Sequence, residues 1–239
     1  MSPRLYWTIR VIFFDAGNTL LRMDYAAIAT ELVRYGVRVT PGAVQRAEWQ
    51  ARVHLDDQVF ARAAGASTET QASATRYLRF VLEGLGVADG DTIERVAAWR
   101  RGYNPPVGLW TTCDPQAHEA LALVRGSGAR SAAVSNSNGT VESVLATVGV
   151  RGALDFVIDS GTVGVEKPDP RIFELAMARA GVGASDAAYI GDFYSIDVRG
   201  AEAAGLRAVL LDPGGFWGAR DCARAPDLLS AVRLALSWG

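Results

Sequence analysis

The sequence has few of the residues that build disulfide scaffolds, zinc sites and histidine-dependent active sites. It contains two cysteines and two histidines among 239 residues. Two cysteines cannot make a disulfide framework, and no Cys-x-x-Cys pair or Cys/His cluster is present to hold zinc. With only His54 and His118 available, Ser-His-Asp and Cys-His catalysis are disfavoured. We expect a protein of the reducing cytoplasm whose chemistry depends on other side chains.

Long hydrophobic runs and an excess of one charge are also missing. The apolar run at residues 11–14 stops at Asp15, so it is too short for a signal-peptide core and far shorter than the about 20 residues that span a bilayer. The formal net charge is only -2, which creates no field that attracts nucleic acid or an anionic membrane surface. We expect neither as a partner, and the sequence gives no indication of the oligomeric state.

Lysine is almost absent. The chain has 24 basic residues, and Lys167 is the only lysine among them. Arginine therefore meets nearly every need for positive charge, and a position that keeps lysine is expected to need a compact ammonium with freely rotating donors. A surface residue left by chance is the alternative explanation.

The hydrophobic pattern changes twice along the chain. Residues 10–15 form a short apolar run that predicts a buried strand. Residues 24–103 have a helical pattern, including a helix that Thr40 caps and that continues through residue 58 or beyond. Further helices are expected near 68–85 and 91–102. After residue 104, strands are predicted at 129–135, 154–158, 187–190 and 207–211, with helices near 114–126, 140–148, 170–180, 196–204 and 226–236.

Alternating strands and helices of this kind predict an α/β fold with a doubly wound, Rossmann-like parallel sheet. The strand at 10–15 is expected to join the same sheet, which makes the helical block an inserted all-helical cap domain. We therefore predict a catalytic core from residues 1–21 and 105–239, and a cap from residues 22–104.

Polar and charged segments follow four of the predicted strands. They are Asp15-Ala-Gly-Asn-Thr19, Ser135-Asn-Ser-Asn-Gly139, Gly164-Val-Glu-Lys-Pro-Asp-Pro170 and Gly191-Asp-Phe-Tyr-Ser-Ile-Asp197. Each alone also fits a polar turn or a helix cap. Because the carboxyl ends of parallel strands meet at one edge, together they predict one pocket. Its carboxylates, ammonium and glycine-rich backbone suit a divalent cation beside a phosphoryl group.

In this order and spacing, the four segments resemble the motifs of the haloacid dehalogenase superfamily, with a helical cap inserted after the first. The resemblance covers essentially the whole chain and implies a Mg²⁺-dependent hydrolase that acts on a small phosphomonoester. Asp15 would be the nucleophile that forms an aspartyl-phosphate, while Ser135 and Lys167 would bind the phosphoryl oxygens and neutralise charge. Asn18 and Asn136 would also contact the substrate.

The same resemblance implies a set of metal ligands. Asp15, the backbone carbonyl of Gly17 and Asp192 would hold Mg²⁺. Asp197 would hold Lys167 or a metal-bound water in place, and Thr19 would support the same site.

One position departs from the family pattern. Phosphatases of this superfamily usually carry a second aspartate two residues after the nucleophile, where it protonates the leaving oxygen, and here that residue is Gly17. General acid catalysis is worth about 10²–10⁴-fold in rate. Unless a cap residue or the substrate itself supplies the proton, we expect weak turnover.

Two other functions stay open. A metal-independent 2-haloacid dehalogenase would use the same nucleophile, but the paired acids Asp192 and Asp197 are poorly arranged without a cation. A phosphate- or metal-binding regulatory protein needs no general acid, which would explain why glycine occupies position 17. A third function of the family, phosphonoacetaldehyde hydrolysis, is excluded because it needs a lysine in the cap, and residues 22–104 contain none. Arg52, Arg62 and Arg76 are candidate contacts of an anionic substrate.

Overall fold

The computed structural model describes residues 9–62 and 66–239. Residues 1–8 of the predicted core and residues 63–65 of the predicted cap lie outside this part of the chain. In chain order the strands are β1 (Val11–Phe14), β2 (Leu21–Arg22), β3 (Thr112–Cys113), β4 (Arg130–Ser135), β5 (Val157–Asp159), β6 (Ala187–Gly191), β7 (Arg207–Leu211) and β8 (Ala223–Ala225). The helices are α1 (Tyr25–Val33), α2 (Pro41–Leu55), α3 (Gln71–Gly84), α4 (Gly90–Gly102), α5 (Ala117–Gly126), α6 (Val141–Thr147), α7 (Ser160–Val163), α8 (Pro170–Ala180), α9 (Arg199–Ala203) and α10 (Leu228–Leu236).

Six strands form one parallel sheet in the order β5-β4-β1-β6-β7-β8. Strands β4 and β5 lie in chain order on one side of β1, and β6, β7 and β8 lie in chain order on its other side. The strand order therefore reverses at β1. In sheets of this kind ligands bind outside the carboxyl ends of the strands at the point of reversal.

Both faces of the sheet are covered by helices, as the central strand shows. All four residues of β1 are buried. Ile12 and Phe14 pack with residues of α5, α6 and α10 on one face, whereas Val11 and Phe13 pack with α8 and α9 on the other. A continuous apolar run is what a parallel strand covered on both faces requires.

Helices α1 to α4 form a helical insertion between β1 and β4, the first two strands of the sheet in chain order. Thr40 accepts a hydrogen bond from the Ala43 amide and Pro41 occupies the first turn, so α2 begins where the sequence predicts. A π-helical turn over Asp56–Phe60 continues α2. The insertion has its own apolar core, which includes Leu32 and Val81.

The insertion contacts the core through the loop after β6. Phe193 packs edge-on against Phe60, with ring centroids 5.5 Å apart, and it also meets the ring of Tyr77. The buried Asp56 accepts hydrogen bonds from the backbone N–H and the hydroxyl of Ser195, at 3.0 and 2.9 Å. These contacts place the insertion over the carboxyl end of the sheet.

The α/β class and the parallel sheet agree with the prediction, and several elements differ in detail. The edge strand β8 was not predicted because Ala-Arg-Ala has no strong strand pattern. The short antiparallel pair β2 and β3, which flanks the insertion, was missed for the same reason. Strand β5 was predicted at 154–158 and is observed at Val157–Asp159, although the Phe156 carbonyl before it already accepts a hydrogen bond from the Ala133 amide of β4. The helix predicted at 196–204 is a π-helical turn over Tyr194–Val198 followed by α9.

Candidate functional site

Asp15 lies at the centre of the edge where the strand order reverses. It follows β1 directly, and its backbone N–H donates to the Ile190 carbonyl of β6 at 2.9 Å. The residue is only 7% exposed. Burial raises the pKa of its carboxyl to about 6, although the nearby Lys167 ammonium opposes this shift.

Lys167 reaches Asp15 from the segment before α8. Its ammonium donates to Asp15 Oδ1 at 2.6 Å, to Asp197 Oδ1 at 2.7 Å and to the Tyr189 hydroxyl at 2.9 Å. Burial alone would lower the pKa of Lys167, but the two carboxylates raise it above its usual value. The only lysine of the chain therefore uses all three of its donors and stays charged between two acids.

Asp197 organises the loop after β6 as well as the lysine. Its Oδ2 accepts hydrogen bonds from the backbone N–H groups of Asp192 and Phe193, at 3.0 and 2.9 Å. A Cβ on Gly191 would lie 2.4 Å from Asp197 Cγ, so only glycine allows this approach. The predicted supporting role of Asp197 fits these contacts.

Three acids meet at this edge. Oxygen atoms of Asp15, Asp192 and Asp197 lie within 4.8 Å of one another, and all three residues are buried. Burial raises the pKa of Asp192 well above its usual value, opposed by Arg52 and reinforced by Asp15. A cluster of buried carboxylate oxygens suits a hard divalent cation, because the cation offsets their mutual repulsion.

A second buried cation, Arg52 of the insertion, approaches Asp192. Arg52 Nη1 lies 3.1 Å from Asp192 Oδ2. The same guanidinium donates to both oxygens of Glu48, at 2.9 and 2.7 Å, and Glu48 also accepts from Tyr25, Tyr77 and Asn18. The hydrogen bond from Asn18 Nδ2 and the ion pair with Arg52 both use Asp192 Oδ2, so neither contact occupies Oδ1.

We predict that Arg52→Met destabilises the protein by about 3–5 kcal/mol, because it leaves the fully buried Glu48 and the buried Asp192 without their shared cation. The double variant Glu48→Gln/Arg52→Met is expected to recover part of this loss. Arg46→Met, which removes a charge from the exposed side of the same helix, should change stability by less than about 0.5 kcal/mol. Urea unfolding monitored by circular dichroism measures these differences. An unchanged unfolding midpoint in Arg52→Met would show that the ion pairs of Arg52 with Glu48 and Asp192 do not stabilise the folded protein.

The predicted phosphate-binding residues lie on the neighbouring strand. Ser135 is the last residue of β4, is 4% exposed and lines the cavity beside Asp15. The Asn136 side chain accepts from the Lys167 amide at 2.7 Å and donates to the Lys167 carbonyl at 2.9 Å and to Thr68 at 3.0 Å. Because its side chain is fully engaged, Asn136 positions Lys167 rather than presenting a free amide to a substrate.

The remaining predicted residues have different surroundings. Gly17 lines the cavity, and a Cβ added there would lie 3.8 Å from the ring of Trp110 and 3.9 Å from Asp15 Oδ2. Asn18 Oδ1 is buried without a hydrogen-bond partner among the described residues, so an oxygen donor remains available beside Asp192. Thr19 is fully buried, and its hydroxyl has no such partner either. Thr19 therefore has no hydrogen bond to the site.

A cavity of about 470 Å³ lies between the sheet edge and the helical insertion. Its floor contains Asp15, Ser135 and Lys167, and much of its wall is apolar, with Leu55, Phe60, Leu78, Leu109, Trp110 and Ile196. Arg100 and Arg101 are the arginines in its wall, whereas Arg52, Arg62 and Arg76 do not line it. The sequence-based choice of arginines is therefore wrong, because helical periodicity does not show which side of the insertion faces the core.

None of the helices in residues 9–62 and 66–239 combines the length and the apolar character needed to cross a membrane.

Comparisons with known proteins agree with the fold and identify the family. A family model described as haloacid dehalogenase-like hydrolase matches residues 9–205. The human haloacid dehalogenase-like hydrolase domain-containing protein 3 is 30% identical over 221 residues, which cover 88% of this chain and 84% of that protein. A phosphoserine phosphatase of Thermus thermophilus is 40% identical over 101 residues, covering 42% of this chain and 41% of the phosphatase. The structure of a 2-haloacid dehalogenase from Pseudomonas syringae pv. Tomato shares the fold, with a TM-score of 0.55 and 24% identity over 97% of this chain and 100% of that one. The chain therefore belongs to the haloacid dehalogenase-like hydrolase family.

Proposed function

We propose that the protein is a Mg²⁺-dependent phosphatase that hydrolyses a small phosphomonoester through an aspartyl-phosphate intermediate. The main support is the buried contact of Lys167 with both Asp15 and Asp197 at the floor of the cavity. This arrangement holds a carboxylate nucleophile beside a fixed positive charge, where a transferring phosphoryl group would need both.

Asp15 performs the central step. Its free carboxylate oxygen attacks phosphorus, and the bond from phosphorus to the ester oxygen breaks as the alcohol leaves. Lys167 neutralises the charge shared by Asp15 and the phosphoryl oxygens, and Ser135 with the neighbouring backbone N–H groups binds those oxygens. Water then attacks phosphorus, which releases phosphate and regenerates the Asp15 carboxylate.

Asp15, the Gly17 carbonyl and Asp192 would hold Mg²⁺, with Asn18 Oδ1 as a nearby oxygen donor. The ion supplies charge neutralisation between the acids and the phosphoryl group. The clustered acids also argue against the runner-up function, metal-independent dehalogenation, because Asp15, Asp192 and Asp197 are three buried carboxylates. Their two neighbouring cations, Lys167 and Arg52, leave a negative excess that a metal ion would balance.

We propose that residues 22–104 act as a cap over a core of residues 1–21 and 105–239, and that the protein works in the cytoplasm. The cap would select the substrate, because the cavity walls opposite Asp15 come from the insertion. A small phosphomonoester fits a cavity of this size. Arg100 and Arg101 in the wall favour substrates that carry a second anionic group, such as a carboxylate.

A phosphoester screen with and without Mg²⁺ tests this function. The panel contains p-nitrophenyl phosphate, phosphorylated hydroxy acids and amino acids, and sugar phosphates, each assayed for phosphate release in Mg²⁺ and in EDTA. We expect release only with Mg²⁺. Halide release from 2-haloacids in EDTA would establish the dehalogenase instead. Tight Mg²⁺ binding with no turnover on any ester would establish the regulatory binding protein.

A further inference from the structure

The proposed reaction lacks a proton donor for the leaving alcohol. The family position for this acid is Gly17. In the described part of the chain, four carboxylic acids line the cavity: Asp15, Glu69, Asp192 and Asp197. Three of them are held by cations, since Lys167 binds Asp15 and Asp197, and Arg52 pairs with Asp192. Only Glu69 forms no ion pair with a described residue.

The segment that carries Glu69 is attached to the core beside the reacting groups. Thr68 accepts a hydrogen bond at 3.0 Å from Asn136. Asn136 also binds both the backbone N–H and the backbone carbonyl of Lys167. Ser67 donates to Glu166 of the core at 2.9 Å. These two contacts come from the two residues before Glu69, so they hold this segment against Asn136, which follows Ser135, and against Glu166, which precedes Lys167.

Glu69 lines the cavity while its side chain remains exposed. Its Oε1 accepts only the Thr68 hydroxyl, at 3.1 Å. Partial desolvation raises the pKa of Glu69, and the hydrogen bond from Thr68 opposes this shift. Among the neighbouring charged groups, Glu166 and Asp159 raise the pKa and Lys167 lowers it. Arg100 is the other charged side chain near it.

We propose that Glu69 is the general acid that replaces the missing aspartate at position 17. This inference rests on the proposed phosphatase function. As Asp15 forms its bond to phosphorus, the Glu69 carboxyl gives its proton to the departing ester oxygen, and the alcohol leaves neutral. Glu69, now a carboxylate, takes a proton from the water that attacks the aspartyl-phosphate, so phosphate is released and the acid is restored.

Leaving-group dependence tests this role. An alkyl phosphate needs protonation of its leaving oxygen, whereas p-nitrophenolate leaves readily without a proton. Glu69→Gln should lower kcat for an alkyl phosphate by about 10²-fold or more and lower kcat for p-nitrophenyl phosphate by less than about tenfold. The matched control Glu83→Gln, on the exposed side of α3 and outside the cavity, should match the wild type on both.

A rescue variant separates chemistry from misfolding. Glu69→Gln/Gly17→Asp places a carboxyl at the family position, where a Cβ makes only ordinary contact with Trp110, and should restore most of the alkyl-phosphate activity. Loss on the alkyl ester with this rescue supports the inference. Equal loss on both esters, wild-type rates in Glu69→Gln, or failure of the rescue variant overturns it while the phosphatase function stands. A wild type that releases phosphate from neither ester overturns both.

Discussion

Asp15→Asn is expected to lower Mg²⁺-dependent turnover of p-nitrophenyl phosphate by about 10⁴-fold or more, because an amide oxygen cannot form the covalent intermediate. The replacement has the same shape, and its Oδ1 can still accept the Lys167 ammonium that lies 2.6 Å from Asp15 Oδ1. Initial rates of p-nitrophenolate release in Mg²⁺ measure the effect.

The stability of this variant separates lost chemistry from lost structure. Burial raises the pKa of Asp15 to about 6, so the charged form is costly in the folded state at neutral pH. Asp15→Asn should therefore unfold at the same or a higher urea concentration than the wild type. Asp155→Asn, which neutralises a partly exposed acid paired with Arg130, should keep wild-type turnover. Wild-type rates in Asp15→Asn would contradict the assignment of the nucleophile.

Lys167→Arg should lower kcat by about 10²-fold or more although it keeps the positive charge. The ammonium makes three contacts of 2.6 to 2.9 Å in a pocket where Lys167 is 2% exposed. A guanidinium is larger and planar, so it cannot direct donors to Asp15, Asp197 and Tyr189 from one point without displacing them. Steady-state kinetics on p-nitrophenyl phosphate measure the loss.

The reverse exchange is the matched control for this prediction. Arg125→Lys, at an exposed position of α5, should leave kcat and stability unchanged, because either cation serves at the surface. Full activity in Lys167→Arg would mean that the single lysine of an arginine-rich chain has no specific function.

The convergence of the catalytic candidates could be predicted from the sequence because it depends only on topology. Asp15, Ser135 and Asp192 each end or follow a strand, and parallel strands bring their carboxyl ends to one edge whatever the details of packing. The short spacing from Asp192 to Asp197 placed the second acid at the same edge.

Contacts across the insertion could not be predicted in the same way. The pairing of Arg52 with Asp192 and the position of Glu69 depend on how separate helices pack on the core. Helical periodicity identifies the buried side of α2 but not the surface against which it packs. The contact of Lys167 with the Tyr189 hydroxyl could not be predicted either, because Tyr189 lies within β6, whose sequence is that of an ordinary apolar strand.

The aspartyl-phosphate mechanism is tested most directly by a single turnover, with enzyme in excess over a phosphomonoester labelled at phosphorus. Acid quenching followed by peptide mapping shows where the label is attached during the reaction. The proposed mechanism predicts a transient, Mg²⁺-dependent label on the peptide that contains Asp15, and this label disappears as free phosphate forms. Complete turnover with no label on the protein, or a label on a different residue, would contradict it.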